Sequence, residues 1–221
     1  MMNTILQATA EAVQVTKSIG MGELIMAGGW LMIPLAVLGG VCIFIFADRF
    51  MAIRKATSID PAFIRKIKHF IDNKDLATAL KLCRSTDAPL ARMIEKGIVR
   101  MNQPASEVHS AIENIANLEV AKLEKGLSYM ASISGGAPMI GFLGTVIGMV
   151  EAFMNLSQAG GTVDMSLLSS GMYTAMITTV AGLVVGIPAY FGYNYLVARI
   201  DRLVFEMEAN TIAFLDIINN R

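Results

Sequence analysis

Three long apolar stretches constrain this chain more than any other feature. They are Leu24–Ala47, Ser132–Leu156 and Leu167–Val197. Each exceeds the roughly 20 residues that a helix needs to cross the hydrocarbon core of a bilayer. The remaining segments have helical rather than alternating periodicity, and hydrophobic residues make up 54% of the chain. The sequence therefore predicts an all-α integral membrane protein with three transmembrane helices.

The distribution of Lys and Arg predicts the orientation of these helices. Lys17 alone precedes the first stretch, 14 basic residues lie between Arg49 and Lys125, none separates the second stretch from the third, and three follow. Basic loops favour the cytoplasmic side, so the N-terminus is expected outside and the middle segment and C-terminus inside. The predicted segments are a periplasmic N-terminal segment (1–23), transmembrane helix one (24–47), a cytoplasmic helical domain (48–131), transmembrane helix two (132–156), a periplasmic turn (157–166), transmembrane helix three (167–197) and a cytoplasmic C-terminal helix (198–221).

Turn and capping signals divide the middle segment into short helices. Helix starts are expected at Asp60, Asp75 and Pro89, from their capping side chains and from proline at a first helical turn. From Ala105 onward the apolar spacing predicts one continuous helix that enters the membrane as the second span, with a bend near Gly135–Pro138. The third span is likewise expected to continue as a helix into the cytoplasm.

The second and third spans carry faces of small, weakly polar residues. In the second span, Gly141, Thr145, Gly148 and Ala152 recur at steps of four, three and four, which places them on one side of a helix. In the third span the matching face is Ala175, Thr179, Gly182 and Gly186, with Thr174 and Thr178 beside it. Such faces allow close approach of another helix. The residues predicted to pack helices are Gly141, Gly144, Gly148, Gly182, Gly186, Pro138 and Pro188.

The threonines on these faces admit two interpretations. The hydroxyls of Thr145 and Thr179 either bond helix carbonyls and hold helices together or line a pore, and Thr174 is open to the same two roles. A threonine does not titrate near neutral pH, and Glu151 is the only acid in the two later spans. Glu151 lies near the outer interface, as a pore-mouth residue or as an acid that reaches the headgroups. If a proton crosses here, a partner or water must carry it.

Several classes of function are disfavoured by composition. The formal net charge is zero and basic residues alternate with acids, so nucleic acid is not an expected partner. Cys42 and Cys83 are the only cysteines, and no Cys/His cluster suggests a metal site. No nucleophile–base pair or phosphate loop is visible, so neither an enzyme nor a cofactor is predicted.

Two motifs resemble a known family. APMIGFLGTVIGM in the second span and GMYTAMITTVAGLVVGIPA followed by YN in the third are similar to the MotA/TolQ/ExbB proton channel family, closest in pattern to ExbB and TolQ. The resemblance extends over about Gly28–Asp201. One position departs: well-known members carry a glutamate five residues before the span-three threonine, where this chain has Thr174.

The resemblance implies an inner-membrane motor subunit that couples the proton motive force to a periplasmic or outer-membrane process such as TonB-dependent import. It implies a pentamer around a one-span ExbD- or TolR-like partner, and a TonB- or TolA-like protein beyond it. Thr145 and Thr179 would face the membrane aspartate of that partner. The alternative interpretation is a passive membrane scaffold whose small-residue faces serve only homo-oligomer packing.

Overall fold

A computed structural model describes residues 28–58, 60, 62–158 and 165–219. All regular secondary structure among these residues is helical, and three helical stretches are long and apolar enough to cross a membrane. Those stretches lie in Met32–Thr57, Ala105–Gln158 and Ser169–Ile218. The prediction of an all-α membrane protein with three transmembrane helices is confirmed.

The described helices are seven in number. They are α1 (Met32–Thr57), α2 (Phe63–Asp72), α3 (Leu76–Ser85), α4 (Pro89–Val99), α5 (Ala105–Glu124), α6 (Leu127–Gln158) and α7 (Met165–Asn219).

Helix bounds differ from the predicted segments at several points. Helix α1 continues ten residues past the predicted end of the first span at Ala47. The helix α7 is continuous over 55 residues, as expected for a third span that extends beyond the bilayer. The predicted N-terminal segment 1–23 lies outside the described residues, as do positions 159–164 of the predicted turn.

The continuous helix predicted from Ala105 is interrupted. Helix α5 ends at Glu124 and α6 begins at Leu127, because Gly126 adopts a left-handed backbone conformation with φ of 90°. Glycine reaches this conformation at no steric cost, since it has no Cβ. The break therefore lies about ten residues before the bend expected near Gly135–Pro138, and residues 135–138 are helical.

The described residues form two compact units, and α1, α6 and α7 each contribute to both. The first unit consists of residues 28–38, 136–158 and 165–185. It contains the facing small residues of α6 and α7. The second unit consists of residues 39–58, 60, 62–135 and 186–219.

The second unit has a core of buried side chains contributed by several helices. Helix α3 packs against α2 and α4, and α4 packs against α5. Asp75 caps α3 by accepting a hydrogen bond from the Thr78 backbone N–H at 3.1 Å. The core is apolar and fully enclosed, with Ile67, Ile71, Ile94, Ile112 and Phe214 at 0% exposure.

Candidate functional site

The small-residue faces of α6 and α7 meet backbone to backbone. A Cβ added to Gly141 would lie 2.8 Å from the Thr178 carbonyl oxygen and 3.2 Å from the Gly182 Cα. A Cβ added to Gly182 would lie 2.6 Å from the Ala137 carbonyl oxygen. Real side chains do not approach this closely, so only glycine allows the two helices their present separation.

The same close approach continues along both helices. A Cβ on Gly148 would lie 2.9 Å from that of Ala175, and one on Gly171 would lie 2.7 Å from that of Ala152. Gly144 accommodates the Thr178 side chain in the same way. Gly171 was not among the predicted packing residues, although its position four residues before Ala175 places it on the same face and could have identified it.

Thr145 and Thr179 lie within this contact, and their hydroxyl groups are hydrogen-bonded to each other. The Thr179 hydroxyl also lies 3.1 Å from the Gly141 carbonyl oxygen, and the Thr145 hydroxyl lies 3.3 Å from that of Ala175. Each hydroxyl group has one proton and more than one acceptor within reach. The hydrogen bonds can therefore be rearranged without moving either helix. Both residues are half-buried, so the described residues do not fully enclose either of them.

The neighbouring threonines are placed differently. Thr178 is 2% exposed, and its hydroxyl donates to the carbonyl of Ala175 in its own helix at 2.7 Å. Thr174 is half-buried and takes no part in the hydrogen bonds of the Thr145–Thr179 pair. The structure thus brings together two of the three predicted pathway residues.

The other predicted residues occupy distinct surroundings. Glu151 is exposed on α6, six residues and about 9 Å of helix axis beyond Thr145. Gly186 is buried, and Pro138 is half-buried within α6. Pro188 lies inside α7 and is exposed.

The second unit contains a buried acid that sequence reasoning missed. Glu119 is 4% exposed and accepts hydrogen bonds from Arg92 at 2.5 Å and from Lys122 at 2.6 Å. Arg92 also donates to Asp87 at 2.8 Å, and Asp87 pairs with Lys55 at 2.6 Å. Burial alone would raise the pKa of Glu119, but the hydrogen bonds and positive charges of Arg92 and Lys122 outweigh it and lower that pKa.

Metal chemistry finds no support in the described part of the chain. No group of three His, Cys, Asp or Glu side chains lies close enough there to hold an ion. Burial, with a further contribution from Glu95, raises the pKa of the Cys83 thiol to about 12. Such a thiol is almost entirely protonated at neutral pH and is a poor nucleophile or ligand.

A known sequence family matches the part of the chain that contains α6 and most of α7. The sequence model of the MotA/TolQ/ExbB proton channel family matches residues 85–209, which include the α6–α7 contact and both paired threonines. The chain belongs to that family. The family is one of proton channels rather than of enzymes.

Similar proteins are named for biopolymer transport. The chain is 27% identical over 187 residues to an ExbB homolog from Methanothermobacter thermautotrophicus, covering 84% of this chain and 66% of that protein. It is 31% identical over 144 residues to the biopolymer transport protein ExbB of Neisseria gonorrhoeae, covering 58% of this chain and 64% of that protein. The chain thus spans slightly less than two thirds of the length of these two relatives.

Proposed function

We propose that this chain is an ExbB-like subunit of an inner-membrane proton channel motor that couples the proton motive force to a periplasmic or outer-membrane process such as TonB-dependent import. The observation that carries the proposal is the half-buried Thr145–Thr179 hydroxyl pair in a glycine-lined helix contact. Membership of a proton channel family supports it.

The physical argument concerns what hydroxyl groups can and cannot do. A threonine hydroxyl donates and accepts hydrogen bonds but does not titrate near neutral pH, so it can orient a proton carrier without being one. A carboxylic acid from a one-span ExbD- or TolR-like partner would supply the titrating group. A proton entering across the membrane releases about 2.3 kcal/mol per 100 mV, enough for several protons to drive a conformational step.

The geometry suggests roles for individual residues. Thr145 and Thr179 can exchange their mutual hydrogen bond for one to a carboxylate, since both already have more acceptors than protons. Glu151 would attract cations at the outer mouth of the pathway, and Thr174 would line it.

The assembly we propose is a homo-oligomer, a pentamer by family resemblance, around the acidic partner, which would in turn act on a TonB- or TolA-like protein. The N-terminus would lie in the periplasm and the C-terminus in the cytoplasm.

The test is the substitution Thr179→Val, which removes one hydroxyl and preserves the branched shape. Interhelical hydrogen bonds in membranes contribute about 0.6 kcal/mol on average, so the complex should assemble normally. We expect proton flux in reconstituted vesicles to fall at least tenfold. The matched control is Thr178→Val, which removes the adjacent buried hydroxyl and should leave flux unchanged. Equal flux in both variants would remove Thr179 from the pathway.

A second candidate, the passive scaffold, rests on a specific observation. Among the described residues, every hydrogen bond of the Thr145 and Thr179 hydroxyls goes to a group within the α6–α7 contact. A pair that only holds helices together needs no partner and no proton. Purification of the complex from its own membranes discriminates the two, because the scaffold predicts this chain alone and the motor predicts a bound one-span protein with a membrane carboxylate.

A further inference from the structure

A cavity of about 450 Å³ lies in the second unit between α1 and α7. Phe50, Arg54 and Thr57 line it on α1, and Tyr195 and Arg199 line it on α7. Both helices leave their apolar stretches here, since those stretches end at residues 47 and 197. The cavity is therefore expected at the level of the lipid headgroups, where Tyr and Arg side chains concentrate in membrane proteins.

The described residues do not neutralise the two arginines of this cavity. Among the described residues, neither Arg54 nor Arg199 has an acidic partner within 4.0 Å, whereas Arg49, Arg92 and Arg202 all do. No acidic side chain of the described residues lines the cavity. An anion is the ligand that would complement this charge.

Arg199 contacts a neighbouring tyrosine and keeps donor groups available for such an anion. The Nε of Arg199 donates to the Tyr195 hydroxyl at 3.1 Å, and the guanidinium lies 5.4 Å from the centroid of that ring. The two terminal NH₂ groups of Arg199 have no hydrogen bond to the described residues. A planar guanidinium with free terminal donors matches the oxygens of a phosphate.

An aromatic wall connects the cavity to the apolar part of the helices. Phe46 and Phe50 stack with ring centroids 6.0 Å apart, and Phe50 and Tyr195 stack at 6.4 Å. Phe50 and Tyr195 are 38% and 42% exposed, so their outer faces are free to contact an acyl chain. A ligand that fits both features has an anionic phosphate head and an apolar tail.

We propose that this cavity binds an anionic phospholipid of the surrounding membrane, with its phosphate between Arg54 and Arg199 and an acyl chain along Phe46 and Phe50. Basic pockets between transmembrane helices are known to select anionic headgroups by the same electrostatics. The proposal does not depend on proton transport, because it uses only the position and charge of the cavity.

Native mass spectrometry of the detergent-solubilised complex, titrated with phosphatidylglycerol or phosphatidylcholine, tests it. We expect tighter binding of phosphatidylglycerol. A basic group near a membrane surface contributes about 1 kcal/mol, or about fivefold in affinity, so Arg54→Gln and Arg199→Gln should each weaken that binding about fivefold. The matched control is Arg65→Gln, which removes an exposed α2 charge outside the cavity and should change nothing.

Three outcomes would overturn the proposal. They are equal affinity for the two lipids, an equal loss of affinity in Arg65→Gln, and displacement of phosphatidylglycerol by an equal concentration of glycerol 3-phosphate, which would identify a free phosphate as the ligand.

If an arginine variant does not assemble, a fluorescence measurement replaces the comparison of variants. The chain has one tryptophan, Trp30, so Phe50→Trp in a Trp30→Phe background reports on the cavity alone. Acyl-brominated phosphatidylglycerol should quench it at several-fold lower concentration than the brominated phosphatidylcholine, and equal quenching would contradict the proposal.

Discussion

The two units of this chain hold their helices together by different means. In the first, α6 and α7 approach until the Cβ that Gly141 lacks would touch the backbone of Thr178, and hydroxyl–carbonyl bonds join them. In the second, Gly97 of α4 lies under the side chains of Phe214 and Ile112, which fill an apolar core. Lipid provides no hydrophobic driving force for the association of two helices, so close packing and hydrogen bonds must suffice between α6 and α7, whereas burial of apolar side chains stabilises the core of the second unit.

The largest effect that tests this difference is expected from Gly141→Ala. The added methyl group meets a carbonyl oxygen at 2.8 Å, and a backbone atom cannot rotate away, so the two helices must separate. We expect a loss of about 3 kcal/mol in the free energy of unfolding, at the upper end of overpacking costs, measured as a fall in the thermal unfolding midpoint of the purified protein.

Two further alanine substitutions calibrate that result. Gly97→Ala would place its methyl 2.5 Å from Phe214 and 2.8 Å from Ile112, but these contacts are side-chain atoms that can shift, so a loss of about 1 kcal/mol is expected. Gly136→Ala meets nothing within 4 Å and should be neutral or slightly stabilising, because alanine favours the helix. Equal losses of stability in Gly141→Ala and Gly97→Ala would mean that the packing of the first unit relaxes around an added methyl group as readily as that of the second.

An intermediate effect is expected at Glu119, a buried acid with no counterpart among the described residues of the first unit. Glu119→Ala removes the acceptor for Arg92 and Lys122, and we expect a loss of about 2 kcal/mol, reduced from the fully buried case because Arg92 is partly exposed. The pKa of Glu119 is lowered from its ordinary value of 4.5, so its contribution is complete above about pH 4.5 and is lost as the pH falls through the folded-state pKa.

The dependence of protein stability on pH tests the contribution of Glu119. Unfolding measured from pH 7 to pH 3 should show a destabilisation below pH 4.5 that is smaller in Glu119→Ala than in the unsubstituted protein. The control is Glu113→Gln, on the same helix but exposed, with a single 3.9 Å contact to His109, and its acid dependence should match the parent. If the loss of stability below pH 4.5 is unchanged in Glu119→Ala, other carboxylates dominate that loss.

The sequence carried enough information for some of these features and not for others. Steps of three and four residues put Thr145 and Thr179 on small faces of their helices, so local spacing predicted that each face could approach another helix, but not that the two hydroxyl groups would meet. The burial of Glu119 did not, because it depends on Arg92, which is 27 residues earlier and on another helix. The break at Gly126 was also missed, since one glycine costs only about 1 kcal/mol within a helix and does not by itself decide where the helix ends.

The smallest expected effect concerns the Cys83 thiol, and it asks whether the two units open independently. In a Cys42→Ala background, Cys83 is the only cysteine, and its burial and its pKa of about 12 should make alkylation at pH 8 very slow. Labelling then requires local opening of the second unit, and each 1.4 kcal/mol of destabilisation should speed it about tenfold. Glu119→Ala should therefore accelerate labelling of Cys83, whereas Gly141→Ala, despite its larger effect on overall stability, should not. If both accelerate it equally, the small-residue packing of the first unit and the side-chain packing of the second are parts of one cooperative structure.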